Sequence, residues 1–272
     1  MSVRLVDTGT EQLLCSVEDH VATITFNRPE KRNALGDILT PALRQVLLDL
    51  EADQDARVVV LTGAGKAFCS GGDVSGMSGG MGPSAPPGDR VRNLQHKQQT
   101  LTLRLFELSK PTIAALPGAA AGAGMSIALA CDLRIASDNA FLTTGFARIG
   151  LSGDYGGSWF LRQLVGPAKA KELYFTGRRV QAEEALALGL FNQVVPYEEL
   201  AEATRALATS IANGPPTAIR YMKQNINRAG GADLRTCMDW EADRLVRTAA
   251  TEDHKEAVAA FMEKRDPVFK GQ

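Results

Sequence analysis

Two stretches with almost no side chains constrain this chain most. Ala67-Phe68-Cys69-Ser70-Gly71-Gly72-Asp73-Val74 comes just after the apolar run Val58-Val59-Val60-Leu61-Thr62-Gly63, and Pro117-Gly118-Ala119-Ala120-Ala121-Gly122-Ala123-Gly124-Met125 comes after Thr112-Ile113-Ala114-Ala115-Leu116. A continuous β-branched or apolar run closed by glycine reads as a buried parallel strand. A backbone bare of side chains can then approach a ligand closely and aim N–H groups at it. Two N–H groups converging on one point make an oxyanion hole, which stabilises charge developing on a carbonyl oxygen. The pattern points to chemistry on a carbonyl compound, not to phosphate or hydride transfer.

The 272 residues allow one large domain, or one with a small appendage. A hydrophobic fraction of 44% with 22% charged residues is that of a globular chain. The net charge of −1 gives no footprint for nucleic acid or an anionic membrane. Cys15, Cys69, Cys131 and Cys237 form no C-x-x-C pair, and His20, His96 and His254 complete no zinc site, so no metal is expected. The cysteines read as reduced thiols of a cytoplasmic protein, with Cys69 a small buried filler. The N-terminus lacks a signal pattern. The apolar stretch Ile113–Cys131 contains Pro117 and much Gly and Ala, which favours a buried strand–loop–helix over a membrane span.

Along the chain, residues 13–26 read as a hairpin around Glu18-Asp19-His20, and 36–52 as an amphipathic helix. Val74–Asp89, with five Gly and three Pro, reads as a loop that shapes a pocket, and 92–108 as a helix. Strands at 112–116 and 133–137 flank a helix beginning at Ser126. A helix over 156–164, helices over 167–176 and 181–188 stopped by Gly177 and Gly189, and helical segments over 198–263 broken at Gly214-Pro215-Pro216 and Ala229-Gly230-Gly231 complete the chain. The expected class is an α/β core with a C-terminal helical region.

The chain resembles the crotonase (enoyl-CoA hydratase/isomerase) superfamily. The likeness is carried by Asn27-Arg28-Pro29 with Asn33-Ala34-Leu35, by Gly63 to Asp73, by Lys110-Pro111-Thr112-Ile113-Ala114-Ala115, and by Gly122-Ala123-Gly124. Ala130 to Ala136, Ile149-Gly150-Leu151, Gly156-Gly157, Leu173-Tyr174-Phe175-Thr176-Gly177, Ala185 to Val195 and the tail Phe261 to Phe269 continue it in order. The resemblance implies a spiral of ββα units over 1–197 and a helical trimerisation region over 198–272. It implies acyl-CoA thioester substrates, with coenzyme A as part of the substrate and no further cofactor. A homotrimer or a dimer of trimers follows, with neither nucleic acid nor membrane as a partner. The shared chemistry is a thioester enolate held by two peptide N–H groups, here those of Gly72 and Ala123. Lys31, Arg32, Ala34, Ser70, Asp73, Val74, Phe146 and Tyr155 fall where the family contacts the CoA and acyl parts. Phe261 and Lys264 fall where the C-terminus reaches the nucleotide, in some members that of a neighbouring subunit.

The family's hydratases activate water with two glutamates, and this chain has Ser126 and Phe146 at those positions. Neither can serve as the general acid or base that water addition needs. Asp154 instead lies in the loop where isomerising members place a carboxylate and a dehalogenating branch places a nucleophile. The expected activity is therefore a Δ3-to-Δ2 double-bond isomerase with Asp154 as the single acid–base, its pKa raised by an apolar pocket. The alternatives are an enoyl-CoA hydratase (a lyase), an acyl-CoA hydrolase or dehalogenase, and a non-catalytic acyl-CoA binder. Asp154 could also simply cap the following helix. Asp73 is expected to brace the Gly72 turn, Asp132 to pair with backbone or Arg134, and Trp159 and Phe160 to lie in the core.

Overall fold

Asp19 and His20, both at positive φ (47° and 66°), close the first hairpin. Such a two-residue turn matches the twist of the strands it joins. The structure is a computed structural model and describes residues 3–73 and 86–272. Val74 and most of the loop read between it and Asp89 lie outside the described residues.

The hairpin strands β2 (Leu13–Glu18) and β3 (Val21–Phe26) follow the short β1 (Arg4–Leu5). Helix α1 (Leu39–Ala52) leads into β4 (Val58–Gly63) and β5 (Ala67–Cys69). Helix α2 (Pro87–Gln98) passes through a π-helical turn, Gln99–Leu103, into α3 (Arg104–Glu107). Then come β6 (Thr112–Leu116), β7 (Ala119–Ala121) and α4 (Ala123–Ala130), followed by β8 (Leu133–Ser137), β9 (Phe141–Thr143) and α5 (Gly157–Thr176). The pairs β4–β5, β6–β7 and β8–β9, each followed by helix, are the ββα units. Each unit sends its first strand to one sheet and its second to another. The larger sheet runs β1-β2-β3-β4-β6-β8-β11 and the smaller runs β10-β9-β7-β5, with β10 (Val180–Gln181) and β11 (Gln193–Val195) on either side of α6 (Ala182–Ala187). The core strands β4, β6 and β8 pair in parallel, as do β5, β7 and β9. The result is the expected spiral.

One core fills the space between the sheets, α1, α4 and α5, with Phe26 against Phe68 edge to face at 5.4 Å. A second, smaller cluster (Val58, Val60, Ile113, Ala115, Ile135) packs against α7 (Leu200–Ala212) on the other face of the large sheet. Helices α8 (Pro216–Ala229), α9 (Leu234–Ala249) and α10 (Glu252–Glu263) complete the chain. Among the described residues, no helix is long and apolar enough to cross a membrane.

Several boundaries differ from the sequence reading. Helix α2 begins at Pro87, inside the expected loop, because proline suits the first helical position. The single helix read over 92–108 is interrupted by the π turn. The two helices read over 156–164 and 167–176 are both present within α5, separated by the non-helical backbone of Gly166 (φ 74°, ψ 167°), after which Pro167 opens the second. Helix α4 starts at Ala123, three residues early, and α1 at Leu39, three residues late. Trp159, expected in the core, is 47% exposed, although its ring edge packs on Phe106 and Phe160.

Candidate active site

Strands β5, β7 and β9 lie side by side in parallel, so their C-terminal ends deliver three loops to one place. These ends carry Gly72, Ala123 and Phe146. The Gly122 N–H donates to the Thr143 carbonyl at 3.0 Å and ties the second end to the third.

The basic loop 31–35 is stitched to the first end. Ser70 N–H donates to Arg32 O (3.0 Å), Leu35 N–H to Gly71 O (2.7 Å) and Asp73 N–H to Leu35 O (2.8 Å). Asn33, fully buried, spends its amide on the Ala64 and Ala67 carbonyls (3.0 and 2.7 Å) and accepts from Arg28 N–H at 2.9 Å. Arg28 is 9% exposed; its guanidinium donates to the Ala34 carbonyl at 2.7 Å and pairs with Asp73 at 2.9 Å. Lys31 also reaches Asp73, at 3.4 Å, and its side chain stays 46% exposed. Asp73 therefore braces the Gly72 turn through ion pairs, while Lys31 and Arg32 keep exposed cationic side chains on the rim.

Gly72 sits one residue beyond Gly71, whose φ of 93° turns the chain out of β5. A Cβ on Gly71 would stand 3.6 Å from the Ala123 nitrogen, which measures how closely the two turns approach. Gly122 caps α4 at φ 52°, ψ −125°, a conformation that a side chain resists. Ala123 is then the first helical residue, so its N–H has no partner within the helix. Neither it nor the Gly72 N–H donates a backbone hydrogen bond among the described residues. The positive end of the α4 dipole faces the same point. Cys69, buried beneath, is an inert filler whose thiol is pushed up to about 12 by burial.

Asp154 approaches from a strained loop. Tyr155 holds a left-handed backbone (φ 52°), uncommon for a bulky residue, and its N–H donates to Gln98 Oε1 at 2.8 Å. The Asp154 carbonyl accepts from Ser126 Oγ at 3.1 Å and from Gly157 N–H at 3.2 Å. Its side chain does neither of the things a cap would do: α5 has no side-chain cap, and Asp154 Oδ1 is buried with no hydrogen-bond partner. Burial pushes its carboxyl up to about 6. Phe146 is buried and stacks on Tyr174 at 6.1 Å with a 16° interplanar angle. Phe146 also lies 3.6 Å from the positions that a Cβ on Gly122 and on Gly153 would take. Ser126 is fully buried, with Oγ satisfied by the Gly122 and Asp154 carbonyls. The two positions read as departures from the hydratase pattern thus hold a wall and a strut.

The structure brings together Lys31, Arg32, Ala34, Ser70, Gly72, Asp73 and Ala123, and places Phe146, Asp154 and Tyr155 against α4. Phe261, 82% exposed, and Lys264, at the C-cap of α10, make no hydrogen bond or ring contact with this cluster among the described residues. Asp132 accepts from the Thr112 N–H and hydroxyl (2.7 and 3.0 Å), as the backbone reading expected. Its ion pair is with Lys223 at 2.8 Å; Arg134 instead spends its guanidinium on the Leu190 and Cys131 carbonyls, both 2.6 Å away. A cavity of about 490 Å³ beside α7, lined in part by Thr23, Thr62 and Thr204, contains none of Gly72, Ala123 and Asp154. No group of three or more His, Cys, Asp or Glu able to hold a metal occurs among the described residues. Sequence reasoning missed Arg28, Gln98 and Tyr174. Arg28 and Tyr174 stood inside quoted motifs, but only their burial shows what they do.

Residues 16–272 match the sequence pattern of the family described as enoyl-CoA hydratase/isomerase. A 1,2-epoxyphenylacetyl-CoA isomerase of Escherichia coli is 37% identical over 262 residues, covering 96% of this chain and 99% of that one. A short-chain-enoyl-CoA hydratase of Clostridium acetobutylicum is 38% identical over 249 residues, covering 91% and 93%. The crystal structure of an enoyl-CoA hydratase from Polaromonas sp. JS666 superposes with a TM-score of 0.89 at 33% identity, covering 94% of this chain and 99% of that one. With the spiral of ββα units and the converging turns already in place, the chain belongs to the enoyl-CoA hydratase/isomerase family.

Proposed function

We propose that this protein is an enoyl-CoA double-bond isomerase that moves a 3-enoyl thioester to its 2-enoyl form, with Asp154 as the only acid–base. The observation that carries this reading is the Asp154 carboxyl itself, buried, unpaired at Oδ1 and held near 6. The two positions where a second proton carrier would stand hold Ser126 and Phe146, neither of which can exchange a proton. An acid–base with a pKa just below neutral can take a proton and give it back at similar cost.

The step balances with one carboxylate. Asp154 takes a proton from C2 of the bound thioester, and the C2 electron pair delocalises over the carbonyl and the former C3–C4 double bond. The N–H groups of Gly72 and Ala123 hold the resulting dienolate oxygen. The same proton then passes from Asp154 to C4, leaving a C2–C3 double bond and regenerating the carboxylate. Lys31 and Arg32 offer charge to the CoA phosphates, with Ala34, Ser70 and Asp73 along the CoA arm and Phe146 and Tyr155 along the acyl chain. The same reading assembles the chain as a trimer or dimer of trimers through residues 198–272. The exposure of Ile226 (73%), Leu245 (71%) and Phe261 (82%) supports that assembly, and light scattering tests it.

A paired assay on trans-2-enoyl-CoA and trans-3-enoyl-CoA of matched chain length tests the reaction. Conversion of the 3-enoyl substrate at unchanged mass, with no hydrated product from the 2-enoyl substrate, supports the isomerase. Rapid hydration of the 2-enoyl substrate assigns the chain to the hydratases instead.

A further inference from the structure

Buried polar atoms are nearly always hydrogen-bonded, so each orphan calls for a reason. Among the described residues five side-chain atoms are buried without a partner, and two of them, Asp154 Oδ1 and the Tyr174 hydroxyl, lie at the same loop–helix junction. Asp154 is in the loop before α5, and Tyr174 is on the last turns of α5. The glycines around Asp154 place the hydroxyl beside this loop. A Cβ on Gly153 would stand 3.4 Å from the Tyr174 hydroxyl, and one on Gly157 would stand 2.8 Å from it while also striking Ser126 Oγ. Ser126 Oγ is in turn bonded to the Asp154 carbonyl. The hydroxyl therefore lies over the peptides on both sides of Asp154, and its ring is held there by Phe146.

We propose that Tyr174 is a positioning residue for Asp154: its hydroxyl acts on the buried carboxylate oxygen Oδ1 through one bridging water, and leaves Oδ2 to carry the proton. One bridging water satisfies both orphans. It also restricts the carboxylate to the rotation in which Oδ2 faces the acyl chain. The assignment of Asp154 as the proton carrier rests on the function proposed above; the water bridge itself does not.

Among the described residues, the surroundings leave Tyr174 as the side-chain donor for that oxygen. Helix α4 (Ala123–Ala130) contributes no titratable group, and its Ser126 hydroxyl is committed to carbonyls. Arg44 of α1 acts on the Tyr155 phenol, and the Cys69 thiol lies beside that phenol. Gln98 accepts from the Tyr155 N–H, and Arg148 packs against Gly177. Burial is the cause of the raised Asp154 carboxyl, and burial first, then the Asp154 charge, raises the Tyr174 phenol.

Tyr174→Phe removes one oxygen and keeps the ring that stacks on Phe146. The test is a carboxylate ¹³C NMR titration of aspartate-labelled protein, with Asp154 assigned by its absence in Asp154→Asn. A donor to the ionised form lowers a carboxyl's pKa, so its loss must raise it. The expected result is an Asp154 midpoint higher by roughly half a unit or more in Tyr174→Phe. It is accompanied by a kcat about tenfold lower at a KM changed less than about twofold, the size of a lost hydrogen bond to a charged group. An unchanged or lowered midpoint overturns the proposal, as does a variant that loses KM and kcat together with its melting temperature. The titration does not depend on turnover. If Asp154→Asn keeps full activity while the midpoint still moves, the proposed function fails and the water bridge stands.

Discussion

Ser126 donates its hydroxyl to the Asp154 carbonyl at 3.1 Å, across the gap between the first turn of α4 and the loop before α5. The helix that aims the Ala123 N–H is thereby fixed to the loop that carries the carboxylate. At Ser126 this chain has a tie between the two parts of the proposed site, the Ala123 turn and the Asp154 loop. Ser126→Ala should cost about 1 kcal/mol of stability, the worth of one such bond. It should lower kcat severalfold through loss of alignment, read by urea unfolding and by the isomerase assay.

Burial sets a pH dependence. The Asp154 carboxyl is pushed up to about 6 in the folded chain, so the base form fills as pH rises through that value. The kcat/KM for the 3-enoyl substrate should rise with pH, with a midpoint near 6, and level off above it.

The same burial makes ionised Asp154 a cost to the fold. The native state keeps its proton to higher pH than the unfolded chain does, so between about pH 4 and about pH 6 stability falls as pH rises. A rise from the usual carboxylate range to about 6 amounts to about 3 kcal/mol once both states are ionised. Asp154→Asn should therefore be more stable than wild type above pH 6, by up to that amount, and should lose the advantage below pH 4. Thermal melts across that range check the sign.

Arg28 and Lys31 both pair with Asp73, and their exposure separates their effects. Arg28→Ala leaves the Ala34 carbonyl without its buried donor and removes the shorter, more buried of the Asp73 ion pairs, and should cost about 2–3 kcal/mol, with kcat reduced. Lys31→Ala removes a half-exposed cation and should cost under about 1 kcal/mol. It should weaken CoA binding mainly at low salt. Denaturant titration and CoA titration at two ionic strengths distinguish the two.

Gly124 lies against the Cys69 backbone and thiol, where a Cβ would stand 2.8 Å from the sulfur. Gly124→Ala should force β5 and α4 apart at a cost of about 1–3 kcal/mol. Because the shift separates Gly72 from Ala123, kcat should fall more than KM rises.

Much of this was legible in the sequence. The apolar runs ending at Gly63 and Leu116 named the parallel strands, and the bare segments after them named the turns that carry Gly72 and Ala123. The break at Gly166-Pro167 was legible as a stop signal, and the backbone is non-helical there; the π turn at Gln99–Leu103 was not, because the apolar periodicity runs through it. Nor was the exposure of Trp159, since an apolar run does not say which flank of a helix faces the core. Tyr174 and Arg28 lay in motifs whose residues were plain, but their roles depend on partners about twenty and forty-five positions away. Local patterns carry no information at that range.

The decisive measurement is the rate of 3-enoyl-CoA isomerisation by Asp154→Asn, taken with its affinity for a non-reacting acyl-CoA. A single acid–base requires kcat to fall by about a hundredfold to ten-thousandfold with affinity unchanged. A variant within about tenfold of wild type would contradict the role given to Asp154 and move the proton to another group.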